Sequence, residues 1–172
     1  MRWVLVLMAV SSVLAAAAAR AQQRTFNADG WGPLRFTMSC DDARAALARS
    51  GRHATSDERV GIFPREHGFD ERTFVSLTWR EGSREARAEC ADFKLASVAF
   101  VTRGLSGEPA ATAGLAPLVA RYGTPSIDAP TAYGRVHGWT NTTTRLLFFV
   151  THVSGQWMTS EEWTPVATPR SW

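Results

Sequence analysis

The chain has 172 residues, of which 45% are hydrophobic and 20% are charged, and its formal net charge at pH 7 is +3. This length suffices for one domain with a buried core, and we expect no second domain. The basic residues are scattered and form no run, which excludes the charged footprint typical of a nucleic-acid-binding protein.

The first 21 residues have the pattern of a secretory signal peptide. Arg2 supplies a positive charge, residues 3–19 are apolar, and Ala19-Arg20-Ala21 is a small-x-small cleavage site. The apolar stretch is shorter and richer in alanine than a membrane-spanning helix requires. A lipid anchor would need a cysteine at the processing site, and the first cysteine is Cys40. We therefore predict cleavage, no lipid anchor, no membrane span in the mature chain, and a periplasmic or secreted location.

Removal of this segment would leave 17 of the 19 basic residues, against all 16 acidic ones. The mature chain would therefore be almost neutral, and we expect no nucleic-acid partner. Lys94 is the only lysine among the basic residues, and alanine is abundant. This composition is typical of a GC-rich bacterial genome and indicates a bacterial cell-envelope protein.

Residues 22–30 are polar and are predicted to form a flexible lead-in. No low-complexity linker divides residues 31–172, so we predict a single α+β domain there. Residues 31–36 read as a short edge segment, because Pro33 cannot donate to a sheet ladder.

A helix is predicted over residues 40–50. Ser39 suits the N-cap position with Asp42 three residues later, and Gly51 suits the end of the helix. Cys40 and Leu47 would lie on its apolar face. Residues 75–80 and 93–102 then read as strands, whereas the charged stretch 84–89 has only weak strand character.

A second helix is predicted over residues 108–122, from the apolar periodicity that ends at Tyr122. Pro117 requires this helix to begin near Ala116 or to kink. Three strands follow, at residues 131–140, 143–152 and 157–164, with connections short enough for an antiparallel meander. The predicted fold is a two-layer α+β sandwich in which two helices pack on a mostly antiparallel sheet of five or six strands.

Cys40 and Cys90 are the only cysteines, and an exported pair of cysteines usually forms a disulfide. We predict that these two residues are joined. The alternative is that Cys40, at a helix N-terminus where a thiol pKa is lowered, acts as a nucleophile.

The remaining residue patterns predict no catalytic residue, no metal site and no cofactor. The four histidines lack the spacing of a metal-binding pair, and the last hairpin would place His137 opposite Phe148 and His152 opposite Tyr133. Three C-terminal tryptophans lie in a polar stretch and are a possible interaction surface: Trp157, Trp163 and Trp172.

Two short motifs resemble those of small exported bacterial modules. Residues Phe36-Thr37-Met38-Ser39, followed by Asp42 and an amphipathic helix, are similar to the helix start of the BamE-like outer-membrane assembly lipoproteins and of the β-lactamase inhibitor protein family. Residues Tyr122-Gly123-Thr124-Pro125, followed by a strand that contains Trp139, are similar to the ending of many exported bacterial proteins. The resemblance implies an α+β architecture and a non-enzymatic binding role.

We therefore expect a non-catalytic binding module of the bacterial cell envelope, whose partner is another envelope protein or a small ligand. One alternative is an exported hydrolase whose site assembles from dispersed residues, for example Cys40 with a distant histidine or the acids around His67. Another is a periplasmic inhibitor of a hydrolase.

Overall fold

The computed structural model describes residues 28–65 and 68–166, apart from the side chains of residues 63–65 and 68–71. The predicted signal peptide, most of the predicted lead-in, His67 and Trp172 lie outside the described residues.

The described residues form strands and helices in a regular order. In chain order they are β1 (Gly30–Trp31), β2 (Leu34–Arg35), α1 (Cys40–Arg49), β3 (Thr55–Arg65), β4 (Gly68–Glu81), β5 (Arg84–Ala91), β6 (Lys94–Leu105), α2 (Glu108–Ala113), α3 (Leu115–Tyr122), β7 (Ile127–Thr131), β8 (Gly134–Thr140), β9 (Thr144–Val153) and β10 (Gln156–Pro165). No helix within these residues is long and apolar enough to cross a membrane.

Eight of the strands form one antiparallel sheet in the order β3-β4-β5-β6-β10-β9-β8-β7. Strands β3 to β6 make one meander and β7 to β10 make another, and each meander follows a helical segment. The last strands of the two meanders, β6 and β10, pair with each other in antiparallel fashion. The chain is thus built from two helix-plus-four-strand halves that meet at a β6–β10 seam in the middle of the sheet.

The predicted two-layer α+β sandwich with five or six strands is wrong. The described chain is mostly β, with eight strands in the main sheet and a separate two-stranded sheet of β1 and β2. The strands at residues 55–65 and 84–91 were missed or only weakly indicated by the sequence, because both segments are rich in charged residues. In β5 the residues that face the core are two small alanines and a cysteine, so the alternation of buried and exposed positions carries little apolar signal.

The helices and the β1–β2 hairpin pack on one face of the main sheet. The buried face of α1 consists of Cys40, Ala43, Ala46 and Leu47. The predicted N-cap is confirmed, because the Ser39 hydroxyl accepts a hydrogen bond from the Asp42 backbone N–H at 3.1 Å. The predicted disulfide is also present: Cys40 is bonded to Cys90 on β5, with the two Cα atoms 6.0 Å apart.

Two aromatic clusters fill the core, one in each half. In the first half, the ring of Trp31 lies 5.9 Å from that of Trp79 and 4.5 Å from that of Phe100. In the second half, Tyr122 lies 6.4 Å from Trp139 and 5.7 Å from Trp163. Trp79 and Trp139 occupy the second strand of their meanders, and Phe100 and Trp163 occupy the fourth. The two halves therefore bury matching aromatic clusters at matching strand positions.

Candidate binding surfaces

The two cysteines proposed for a disulfide lie in the core and leave no thiol for catalysis. Cys40 is 5% exposed and Cys90 is fully buried, and the described residues contain no free cysteine. The alternative that Cys40 is a nucleophile is therefore excluded in this oxidised form.

The three C-terminal tryptophans do not share a surface within the described residues. Trp163 is 2% exposed, and its indole N–H donates to a Glu161 carboxylate oxygen at 2.7 Å, so its ring belongs to the core. Trp157 is half-buried and stacks on the exposed His152 with ring centroids 4.7 Å apart. Trp172 lies outside the described residues, so its part in an interaction surface stays a prediction.

The three histidines that the structure describes, His53, His137 and His152, occupy separate positions. His137 pairs with Phe148 across β8 and β9, and the Tyr133 carbonyl accepts from the His152 backbone N–H, so the predicted hairpin register is confirmed. His137 is 7% exposed, with Nδ1 3.3 Å from a carboxylate oxygen of Asp128. Within the described ranges, no three His, Cys, Asp or Glu side chains come close enough together to hold a metal ion.

The face of the main sheet opposite the helices, which we call the open face, carries half-exposed side chains. No element of the described chain packs against it. In the second half this face presents an apolar region, made of Ile127, Val136, Leu147, Phe149 and Met158.

Gly138 makes the apolar region continuous. It lies between Ile127 on β7 and Leu147 on β9 in one row across three strands. A Cβ atom at Gly138 would stand 2.8 Å from Leu147 Cδ2 and 3.1 Å from Ile127 Cδ1. The two aliphatic side chains therefore close over the glycine, where any larger residue would hold them apart.

The first half of the open face is mostly polar, and several of its side chains are hydrogen-bonded to Ser76. The Ser76 hydroxyl accepts from Arg59 at 3.0 Å and from Arg87 at 2.9 Å, and it donates to Glu89 at 3.0 Å. Arg87 also forms an ion pair with Glu89. Ser76 is only 3% exposed, so the charged side chains that bind its hydroxyl also cover it.

The described side chains on the polar part of the open face include more basic groups than carboxylates. From the strand registers, the charged residues with described side chains on this face of β3 to β6 are Arg59, Arg72, Arg80, Arg87, Lys94 and Arg103 against Asp57, Glu85 and Glu89. The basic groups thus outnumber the carboxylates beside an apolar region.

On the helix side, a cleft of about 540 Å³ opens above the β6–β10 seam. We call it the seam cleft. Its side-chain lining comes from both halves of the chain and consists of Trp31, Arg35, Arg52, Arg121, Tyr122 and Trp163, with Asp29 at its rim. The first residues of the described chain cross this cleft, because the Ala28 carbonyl accepts from the Asn141 side-chain amide at 2.8 Å.

One wall of the seam cleft is held by a bidentate ion pair. The Arg52 guanidinium donates to both carboxylate oxygens of Glu81, at 2.6 and 2.7 Å, and lies 5.2 Å from the centroid of the Trp31 ring. The hydrogen bonds from Arg52 lower the pKa of Glu81 below its ordinary 4.5 and raise the pKa of Arg52. On the other wall, burial raises the pKa of Tyr122, so its phenol stays neutral at physiological pH.

A second ion pair crosses the seam in the core. Arg84 donates to Glu161 at 2.9 Å and lies 4.5 Å from the Phe100 ring. The Glu161 side chain is 10% exposed and that of Arg84 is 35% exposed. Because the Glu161 carboxylate also accepts from Trp163, its charge is compensated by two donors, as a buried carboxylate requires.

Comparison with known proteins gives no family. No family model, no curated protein and no solved structure matches the chain. The resemblance to small envelope modules therefore stays a prediction. A function can be proposed only from the surfaces described above.

Proposed function

We propose that the chain is an exported, non-catalytic interaction module of the bacterial cell envelope, and that its open face binds a partner protein. The observation that carries the proposal is the continuous apolar region of the open face. Large apolar side chains that stay half-exposed on a rigid sheet, beside charged groups, match the core and rim of protein interfaces.

The charges beside the apolar region specify the partner's chemistry. Among the described side chains of the polar half of the open face, basic groups outnumber carboxylates. The partner should therefore present acidic side chains next to an apolar patch, because complementary charges speed encounter and fix orientation. The same charge pattern disfavours a second copy of this chain, whose own open face would repeat the positive excess.

The disulfide supports the exported location. Bonds such as that between Cys40 and Cys90 persist in the periplasm and outside the cell and are rare in the cytosol. A signal peptide in the first 21 residues would deliver the chain to such a compartment.

The hydrolase alternative loses its cysteine candidate, because the Cys40 sulfur is part of the disulfide. The inhibitor alternative is one form of the proposal, in which the partner is a hydrolase.

The test begins with capture of partners from envelope extract, followed by purification of the captured protein and titration against matched variants. Ile127 and Val119 are both 37% exposed, but Ile127 belongs to the apolar region and Val119 lies on α3 on the helix side. We expect Ile127→Asp to weaken binding at least about tenfold, because a buried unpaired carboxylate at an interface costs more than about 1.4 kcal/mol.

Val119→Asp is the control and should bind like the unmodified chain. The affinity should also fall as salt rises, since the contacts beside the apolar region are charged. Equal weakening by both variants, or full binding by Ile127→Asp, would contradict the proposal.

A further inference from the structure

The two outer strands of the main sheet differ in how well their free edges are protected. Strand β7 has five residues and contains Pro130, which has no N–H to offer to another strand. Strand β3 has 11 residues, and its only proline is Pro64, near its end. Short strands and prolines are the usual protection of a sheet edge. Within the described ranges no strand pairs with the outer edge of β3, so this long edge is open to pairing.

Alternate residues of β3 direct their backbone groups away from the sheet. The Asp92 backbone N–H donates to the Thr73 carbonyl at 3.1 Å, so Thr73 on β4 directs its backbone towards β5. Val60 lies opposite Thr73 in an unbroken β3–β4 register, so its own N–H and C=O point outwards. The same alternation gives outward backbone groups to Ser56, Glu58, Val60 and Ile62.

The side chains of these four residues lie on the helix side of the sheet, because Glu58 is opposite the buried Val75. Val60 and Ile62 are 55% and 69% exposed, the two highest values among the large aliphatic side chains that the structure describes. A strand added to this edge would form backbone hydrogen bonds with β3 and would cover both apolar side chains.

A cleft of about 330 Å³ lies beside this edge, between β3 and the start of α1. Its lining includes Asp41, Arg44, Glu58 and Phe93. Phe93 is 62% exposed although its φ is 63°, a left-handed conformation that a bulky residue rarely adopts. Its carbonyl accepts from the Cys40 N–H at 3.0 Å, so the contact with α1 helps to hold this conformation. The β5–β6 turn thus presents an exposed aromatic ring beside the cleft, where it can contact a side chain of an added strand.

The charges along this edge favour a basic partner. Glu58 is exposed and forms no ion pair with a described residue. Asp41 lies 3.9 Å from Arg44, so the three charged groups of the cleft leave one negative charge in excess. A basic side chain on the added strand would complement this charge.

A second copy of this chain fits the edge less well. Antiparallel registers centred on Glu58 or on Arg59 would set like charges opposite each other. Registers that bring Val60 and Ile62 of two copies together leave Glu58 opposite an uncharged residue. We infer that the outer edge of β3 binds an extended segment of a partner protein, with apolar residues at alternate positions facing Val60 and Ile62 and a basic residue facing Glu58.

This site uses the sheet edge on the helix side and is independent of the interface proposed on the open face. Replacement of Val60 should leave the effect of Ile127→Asp on partner binding unchanged, so the two proposals fail separately.

The probe is the acetylated and amidated peptide Lys-Thr-Val-Thr-Val-Thr-Lys, whose symmetric sequence can pair with β3 in either direction. The readout is amide hydrogen exchange followed by NMR. At saturation the peptide should slow exchange of the outward N–H groups of Glu58, Val60 and Ile62 at least about tenfold, because they become hydrogen-bonded. The N–H groups of Asp57 and Arg59 already point towards β4 and are the internal control.

Two matched peptides separate backbone pairing from charge. N-methylation of both valines should weaken binding at least about tenfold, because two backbone hydrogen bonds to β3 are lost. Glutamate in place of both lysines should weaken binding about threefold or more, because it would face Glu58 and Asp41.

Val60→Pro removes the outward N–H at the middle of the edge and should abolish the protection that the peptide gives to Glu58 and Ile62. Val60→Ile keeps the N–H and the apolar side chain, so it is the control and should behave like the unmodified chain. Thermal unfolding verifies that both variants are folded. The N-methylated peptide tests the inference without any change to the protein.

Four outcomes would overturn the inference. The first is unchanged exchange at Glu58, Val60 and Ile62 with the peptide at about 10 mM, where even a weak site should be occupied. The second is equal binding of the N-methylated peptide, and the third is full protection in Val60→Pro. The fourth is a dimer in sedimentation that Val60→Pro converts to a monomer, which would assign the edge to a second copy of the chain.

Discussion

The disulfide between Cys40 and Cys90 fixes the point at which the first helix meets the sheet. Cys40 begins α1, and its backbone N–H donates to the Phe93 carbonyl in the β5–β6 turn at 3.0 Å. The bond therefore joins a helix start that is already in hydrogen-bond contact with the sheet. Because 50 residues separate the two cysteines, the bond restricts a large part of the unfolded chain.

Replacement of both Cys40 and Cys90 by alanine should lower the free energy of unfolding by about 4 kcal/mol, from the entropy of closing a loop of this length. Guanidinium denaturation of the oxidised chain and of the double variant measures the difference. The reduced wild-type chain serves as the control and should resemble the variant. A loss below about 1 kcal/mol would show that the bond has little effect on the unfolded state.

The ion pair between Arg52 and Glu81 makes stability depend on pH in a defined direction. The folded-state pKa of Glu81 is lowered from 4.5, so the folded chain favours the ionised carboxylate. This contribution is fully present above the unfolded-state pKa and is lost as pH falls through the lower folded-state pKa. We expect Glu81→Gln to cost about 1 kcal/mol at pH 7, since both side chains are about a quarter exposed, and to cost progressively less below about pH 4.

Unfolding curves at a series of pH values test this expectation. Glu85→Gln is the matched control, because Glu85 is more than half exposed and lies 3.9 Å from its partner Arg103. Its effect should be small at every pH. A cost of Glu81→Gln that stays constant from pH 7 to pH 3 would contradict the role assigned to the pair.

In each half, the second and fourth strands of the meander carry the large aromatic side chains of the core. Trp139 and Trp163 are each 2% exposed and contact Tyr122 at the end of α3. The Trp139 indole N–H donates to the Gly123 carbonyl at 2.9 Å, which ties the helix end to the sheet. Trp157, by contrast, lies at the start of β10 and is half-buried.

Replacement of Trp139 or Trp163 by alanine should therefore cost about 3–5 kcal/mol, because each change leaves a large cavity in the core. Trp157→Ala should cost about 1 kcal/mol, since much of its ring already contacts water. Denaturant unfolding of the three variants gives the comparison. Similar costs for Trp157 and Trp163 would contradict the buried and half-buried positions of the two rings.

The helices could be predicted from the sequence because their signals are local. Ser39 and Asp42 mark the start of α1, whose observed end at Arg49 is one residue before the predicted one. The helical stretch of residues 108–122 is present but divided at Gly114, and the second helix starts at Leu115. Pro117 thus falls in a first turn, where its missing N–H leaves no helical bond unmade.

The extent of the sheet could not be predicted from the sequence, because long-range pairing decides it. Arg59, Arg87 and Glu89 look like solvent-exposed charges in the sequence, yet they meet around Ser76 only when three strands are side by side. The seam cleft was missed for the same reason. Trp31 and Tyr122 are 91 residues apart, and no local pattern indicates that they face one cleft.

The described part of the chain is built on one main sheet shared by two halves, with different chemistry on its two faces. Pairing of β6 with β10 and the ion pair between Arg84 and Glu161 join the halves through the core. The helix side holds the aromatic clusters and the seam cleft, whereas the open face presents apolar side chains beside an excess of arginine. We therefore propose the open face as the surface that binds a protein partner.

Photo-crosslinking in intact cells tests this claim most directly. A photoreactive amino acid would replace Ile127 on the open face in one variant and Val119 on the helix side in another, two positions with the same 37% exposure. We predict a discrete crosslinked partner in the cell envelope from position 127 and none from position 119. A partner captured from position 119 alone, or no crosslink from position 127, would contradict the assignment of the open face as the binding surface.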